Sequence, residues 1–258
     1  METLPLDILL NIIDLLADGD DEGIKSLRTL SQACKYMVPI CRKHLFSSLR
    51  LCVELNSERF SDLLSKNPDI ARYVRNLDYK VHCTQISDHE LNILDLLKKR
   101  SSLQSIVLSW SSKLDCEWSN LDESTRLSLV SLIQLPTITF LSIYSFQGFP
   151  AAALSGCSNL IELRVGRLKL APPEVNQVIS RSKIPTLLYI KTNTYSLAAL
   201  LNSAGLHAGS PIVDFSRLQK AEFHVESRGD IDPVNELIRV TTRLEYIYMG
   251  REWTAVAT

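Results

Sequence analysis

One short apolar string recurs seven times along this chain, and it restricts the fold more than any other feature. Its form is Φ-x-x-Φ-x-Φ, where Φ is apolar: Val74-x-x-Leu77-x-Tyr79, Leu103-x-x-Ile106-x-Leu108, Ile138-x-x-Leu141-x-Ile143 and Leu160-x-x-Leu163-x-Val165. It continues as Leu187-x-x-Ile190, Leu218-x-x-Ala221-x-Phe223 and Leu244-x-x-Ile247-x-Met249, with starts 29, 35, 22, 27, 31 and 26 residues apart. A single string says little in a chain that is 45% apolar; seven of like form, the Leu187 string lacking its last apolar position, set a period. Such a spacing has room for one strand and one helix per unit.

The intervening stretches predict those helices. Asp88 to Lys99 is acidic first and basic last, with leucines at helical spacing and Ser87 placed to cap its amides. Asp122 to Leu135 behaves similarly and stops before Pro136. Pro173 to Ser180 and Pro233 to Val240 open with a proline in the first turn, where its missing donor costs nothing. Strand and helix in alternation make either an ordinary α/β domain with a mostly parallel sheet or a curved α/β solenoid.

The strings resemble degenerate leucine-rich repeats. The resemblance implies an irregular α/β solenoid with a parallel sheet over residues 51–258, in about seven repeats. The chain departs from that family where an Asn or Cys normally follows the last apolar position. His82, Ser111, Phe146, Leu168, Tyr195, Glu226 and Glu252 stand there instead, so the bends must be held by something other than a polar ladder.

In a strand of this pattern the Φ side chains point inward and the residues between them outward. The outward set includes Asp78, Lys80, Glu162, Lys220, Glu222, Tyr246 and Tyr248. Aromatics and arginine favour binding surfaces, which makes Phe140, Tyr144, Arg164, Tyr189 and Lys191 the candidate centre of a target-binding face. A plain solvated sheet face is the alternative. No dense arginine cluster singles out a multiply phosphorylated target.

The first fifty residues pose a different problem. Pro5 and Asp7 suit a helix start, and Gly19 among aspartates suits its end; Ile24 to Met37 and Pro39 to about Leu49 suit two more helices. On the first, Leu9, Ile12, Ile13 and Leu16 make one stripe, while Leu6, Ile8, Leu10 and Leu15 cover much of the remainder. A unit of about fifty residues buries only about 60% of its surface, so two partner helices leave apolar surplus. The surplus packs either on the chain's own repeats or on another protein.

Leu4-Pro5-x-Asp7-Ile8-Leu9-x-x-Ile12, then Asp20-Asp21, Leu27, Leu30, Ser31, Cys34-Lys35, Arg42, Leu45 and Phe46, together resemble an F-box. With the repeats, the likeness is to fungal-type F-box-like proteins. It implies a three-helix module over residues 1–50 that binds the Skp-type adaptor of an SCF ubiquitin ligase, and through it a cullin scaffold. Carried over by position, Leu4, Pro5, Ile8, Leu9 and Ile12 would contact the adaptor, with Leu27, Leu30 and Val38 contributing. Tyr36-Met37-Val38-Pro39 departs from the family, in which an aromatic often follows the Cys-Lys pair. The function so implied is substrate recognition within the ligase; a non-ligase scaffold or regulatory repeat protein is the alternative.

Other chemistry is poorly provided for. The formal net charge of -1 offers no global basic field for nucleic acid or anionic lipid. Leu4 to Leu16 is too short to span a bilayer, and its internal Asp7, Asn11 and Asp14 are unlike a signal peptide. Six scattered cysteines without a Cys-x-x-Cys pair, and no Asn-x-Ser/Thr, suggest the cytosol or nucleus. Phosphate loops, dinucleotide fingerprints and nucleophile elbows are missing, and Gly occurs only nine times. Cys34 with His44 reads as a buried thiol rather than a catalytic pair, and His82, Cys83, His89 and Cys116 match no zinc spacing. Asp20, Asp21 and Glu22 read as a solvated turn. The expectation is therefore a non-enzyme with neither cofactor nor metal, and with no nucleic-acid or membrane partner.

Overall fold

A computed structural model describes residues 5–17, 21–33, 35–52, 54–112, 115–171, 184–206, 212–225 and 231–250. Three helices come first: α1 (Leu6–Ala17), α2 (Asp21–Ala33) and α3 (Met37–Leu45). Ile13, Leu27, Met37 and Cys41 form a buried cluster of their own, with Leu9, Leu16, Ile24, Leu30, Ile40 and Leu45 packed around it. α1 and α2 meet at Gly23, where a Cβ would stand 2.3 Å from the Leu16 carbonyl oxygen. His44 Nε2 lies 3.3 Å from Asp14 Oδ1 and joins α3 to α1.

Four expected boundaries move. α2 begins at Asp21 instead of Ile24 and ends at Ala33 instead of Met37, and α3 begins at Met37 with Pro39 inside its first turn. α3 also stops at Leu45 instead of reaching Leu49, because the chain there enters the sheet as β1 (Ser48–Leu51). Leu51 is buried in the main core and Leu49 packs against it.

The rest of the chain alternates: α4 (Glu54–Lys66), β2 (Asn76–Val81), α5 (Asp88–Arg100), β3 (Ser105–Trp110), the two-residue β4 (Cys116–Glu117) and α6 (Glu123–Ile133). Then come β5 (Phe140–Phe149), α7 (Ala151–Ser155), β6 (Glu162–Leu170), β7 (Tyr189–Asn193), α8 (Thr194–Leu206), β8 (Lys220–His224), α9 (Asp232–Val240) and β9 (Tyr246–Gly250). All seven apolar strings lead into strands. The expected helices appear as α5, α6 and α9, whereas Pro173 to Ser180 lies outside the described residues. Ser87 and Glu90 form the reciprocal cap of α5.

The fold is α/β with a nine-strand sheet, parallel at every described pairing. Its order is β1-β2-β3-β5-β6-β7-β8-β9, with β4 pairing further along β5. The order never reverses. Crossovers of one hand, the rule for parallel neighbours, bring connecting helices to one face; α4 lies beside α5, α5 beside α6, and α8 beside α9. The inward side chains of β2 to β8, from Leu77 and Tyr79 to Ala221 and Phe223, are essentially buried, while the opposite face is half-buried to exposed except at Ser142, Gly166 and Asn193.

A hydrogen-bond motif holds the register at each step. The carbonyls of Ser47, Arg75, Gln104, Thr139, Ile161, Leu188 and Gln219 each accept two consecutive amides of the next unit, at 2.7–3.2 Å. Because these bonds involve only backbone, the units tolerate unlike sequences. At the far end of β5 and β6 an apolar stack packs beneath the bend. Phe146 and Leu168 are paired across the strands and buried, and Trp118 packs edge-on to Phe146 and Phe149 at 5.7 and 4.8 Å. Ser145 and Arg167, at φ 64° and 52°, turn the two strands side by side. Ser196 Oγ accepts the Leu168 amide at 3.1 Å and donates to the Leu168 carbonyl at 3.2 Å, fixing the first turn of α8 on β6.

Candidate functional site

The first candidate surface is α1. At 100° per residue its apolar side chains fall into an inward stripe with a flank on either side. Leu9, Ile13 and Leu16 face the three-helix core. Leu6 and Leu10 form one flank; Ile8, Ile12 and Leu15 form the other, all between 39% and 74% exposed. Asp7, Asn11 and Asp14 complete the circumference.

This arrangement divides the residues expected to contact an adaptor. Ile8 and Ile12 are outward, Pro5 is exposed at the start of the helix and Val38 is half-buried. Leu27 is a correction: it is completely buried in the three-helix core and has no surface to offer. Leu9 and Leu30 are half-buried: they pack on that core and keep part of their surface outside it. Leu4 and Cys34 lie outside the described residues. Leu6, Leu10 and Leu15, outside the set expected to contact an adaptor, are exposed beside it. Their signal was present as i, i+4 and i, i+7 spacings beside the chosen stripe, but nothing in the spacing says which stripe faces inward.

The second surface is the open face of the sheet. Parallel register lines its side chains up in rows across the strands. One row runs Phe140, Glu162, Tyr189, Lys220, Tyr246, and the next Ser142, Arg164, Lys191, Glu222, Tyr248. Strands about 4.8 Å apart bring these neighbours into contact. The Arg164 guanidinium carbon stands 5.0 Å from the Phe140 ring centre and 5.6 Å from that of Tyr189. Arg164 also donates through Nε and Nη2 to Glu162 Oε1, both at 2.7 Å. Lys220 Nζ lies 5.0 Å from the Tyr189 ring centre and 5.5 Å from that of Tyr246.

Glu222 is the hub of this network. Lys220 reaches it at 2.9 Å and Lys191 at 3.1 Å, and the Tyr189 hydroxyl donates to it. Partial burial alone would raise its carboxyl pKa, but these three donors outweigh that and hold it at about 2. Desolvation and the bond to Glu222 in turn push the Tyr189 phenol above its usual range. Glu162, Arg164, Tyr189, Lys191, Lys220 and Glu222 line a shallow open depression of about 420 Å³.

Four of the five residues expected to centre a target-binding face therefore belong to one contact network: Phe140, Arg164, Tyr189 and Lys191. Tyr144 stands one row further along, opposite Ser109 on β3 and Gly166 on β6. Glu162, Lys220, Glu222 and Tyr246 complete the network; the alternation placed them outward, but only the register makes them neighbours. In the described strands up to the bend at Ser145 and Arg167, the outward positions carry five basic side chains (Arg50, Lys80, Arg164, Lys191, Lys220) against three acidic ones (Asp78, Glu162, Glu222); at and beyond the bend β4 and β6 add exposed Glu117, Arg167 and Lys169.

Among the described residues, no three His, Cys, Asp or Glu side chains gather as a metal-ligand group, and no helix is long and apolar enough to cross a membrane. Cys157 is buried, and desolvation pushes its thiol up to about 12. No protein-family model matches the chain, and a search of curated proteins found no match to it.

Proposed function

We propose that this chain is the non-catalytic substrate-recognition subunit of an SCF-type ubiquitin ligase, acting in the cytosol or nucleus. The three N-terminal helices serve as an F-box-like module for a Skp-type adaptor, which joins the chain to a cullin scaffold. The sheet and its helices serve as an irregular leucine-rich-repeat solenoid whose open face holds a target protein.

The observation that carries this reading is the state of α1. Leu6, Ile8, Leu10, Ile12 and Leu15 stay exposed beside the described remainder of the chain. Five large aliphatic side chains on three turns of helix form an apolar patch of the kind that protein partners cover. The F-box-like order of residues names the partner. The unreversed strand order and the repeated two-amide carbonyl step support the solenoid half of the reading.

Co-expression of the full chain with a Skp-type adaptor tests it. The two proteins are expected to co-purify, and Ile8→Asp with Ile12→Asp is expected to abolish the association without lowering the melting temperature. Lack of association with the unaltered chain rejects the ligase reading in favour of a non-ligase repeat scaffold.

A further inference from the structure

We infer that the open sheet face across β5 to β9 captures an extended acidic segment of its target protein, with carboxylate side chains received by Lys191, Lys220 and Arg164. The inference rests on the reading of this face as the capture surface, and it is independent of the adaptor half of that reading.

Charge is the first argument. The whole chain carries a formal net charge of -1. Among the described residues, the outward rows from β5 to β9 carry Arg164, Lys191 and Lys220 against Glu162 and Glu222, a net +1 on a chain whose net charge is negative. A segment rich in Asp and Glu is drawn to that face.

The second argument is how the cations are held. Lys220, about half-exposed, is steadied by Glu222 and by the rings of Tyr189 and Tyr246, yet its ammonium remains open to solvent on its outer side. Arg164 is held between two rings and oriented by Glu162. Cations fixed before binding lose little side-chain entropy when a partner carboxylate arrives. The rings, and the exposed Tyr246 and Tyr248, add apolar area for side chains that alternate with the acidic ones.

The same geometry disfavours a continuous polyanion. Arg164 already spends Nε and Nη2 on Glu162, which leaves Nη1 and the second Nη2 hydrogen for a partner anion, carboxylate or phosphate alike. Glu162 and Glu222 lie among the cations and would repel a continuous phosphate backbone. Four strand spacings from β5 to β9 measure about 19 Å, the reach of about six extended residues.

The test uses the full chain and a fluorescein-labelled octapeptide, Glu-Phe-Asp-Ser repeated twice, followed by fluorescence anisotropy. The acidic peptide is expected to bind, and its counterpart with Gln and Asn in place of Glu and Asp is not. Lys191→Met with Lys220→Met is expected to weaken binding about tenfold, and raising the salt to weaken it several-fold. Glu162→Gln removes a competing carboxylate from Arg164 and is expected to tighten binding about threefold, a gain that damaged folding cannot produce. Equal binding of the amide peptide, or no binding of either, overturns the inference. So does binding more than about tenfold tighter by a phosphoserine version or by a single-stranded RNA octamer. If Tyr144→Ala with Arg164→Ala abolishes capture of a cellular target while the acidic peptide fails to bind, the capture surface stands and only its acidic preference falls.

Discussion

Lys220 Nζ and Glu222 Oε1 lie 2.9 Å apart, two positions along one strand, and Lys191 reaches the other oxygen of the same carboxylate from β7 at 3.1 Å. Glu222 thereby ties two strands together on the open face. With a folded pKa of about 2 against an ordinary 4.5, its contribution is fully present above about pH 4.5 and is lost as pH falls towards 2. Glu222→Gln is expected to cost about 1–2 kcal/mol at pH 7, allowing for solvent screening. The deficit relative to the unaltered chain should shrink between pH 4.5 and 2, as urea unfolding at stepped pH would measure.

Gly23 has opposing local and tertiary preferences. Alanine favours a helix interior by about 1 kcal/mol over glycine. A Cβ at Gly23, however, meets the Leu16 carbonyl at 2.3 Å, and a backbone atom cannot turn aside. Gly23→Ala is expected to destabilise the three-helix unit by about 1–3 kcal/mol through forced separation of α1 and α2. Thermal unfolding followed by circular dichroism checks this; an unchanged or higher melting temperature contradicts the close approach.

Ile12 and Leu27 should separate binding from folding. Ile12 is 40% exposed and Leu27 is completely buried. Ile12→Asp is expected to shift stability by no more than about 0.5 kcal/mol while removing adaptor co-purification. Leu27→Ala opens a cavity and is expected to cost about 2–5 kcal/mol. Denaturant titration beside the co-purification assay reads both, and equal loss of stability in the two variants contradicts the inward and outward assignment.

Ser196 holds both backbone groups of Leu168, and both residues are buried. Ser196→Ala leaves that donor and acceptor without the hydroxyl and is expected to cost about 1–3 kcal/mol. Amide hydrogen exchange at Leu168 should rise selectively, whereas exchange across β2 and β3 should not.

The regular part of the fold was legible because its cause is local. Residues two apart on a strand face the same side, so Leu163 and Val165, or Ala221 and Phe223, announce an inward face wherever the strand sits. Capping worked for the same reason: Ser87 and Glu90 are three residues apart and meet in any helix that starts there. β1 escaped notice because Leu49 and Leu51 are only two apolar positions, following directly on a helical pattern. Their strand state comes from pairing with Leu77 and Tyr79, which lie 28 residues away. In β9 the inward Ile247 and Met249 remain 37% and 58% exposed, so alternation located the strand but did not tell how far it is covered.

The candidate surfaces divide along the same line. Alternation placed Phe140, Arg164, Tyr189 and Lys191 outward, but their becoming one network with Glu162, Lys220 and Glu222 depends on which residue stands opposite which. That register is held by carbonyl-to-amide bonds between successive units, which leave no trace in side-chain identity. On α1 the breadth of the apolar surface was plain from composition and spacing. Its inward side was decided by Ile13 entering the core of α2 and α3 and by the close contact at Gly23. The sequence by itself determined periodic elements and the amount of surface needing cover, because both follow from residues near one another along the chain. The tertiary structure alone decided which apolar flank stays open and which charges meet, because both depend on contacts between residues distant in sequence.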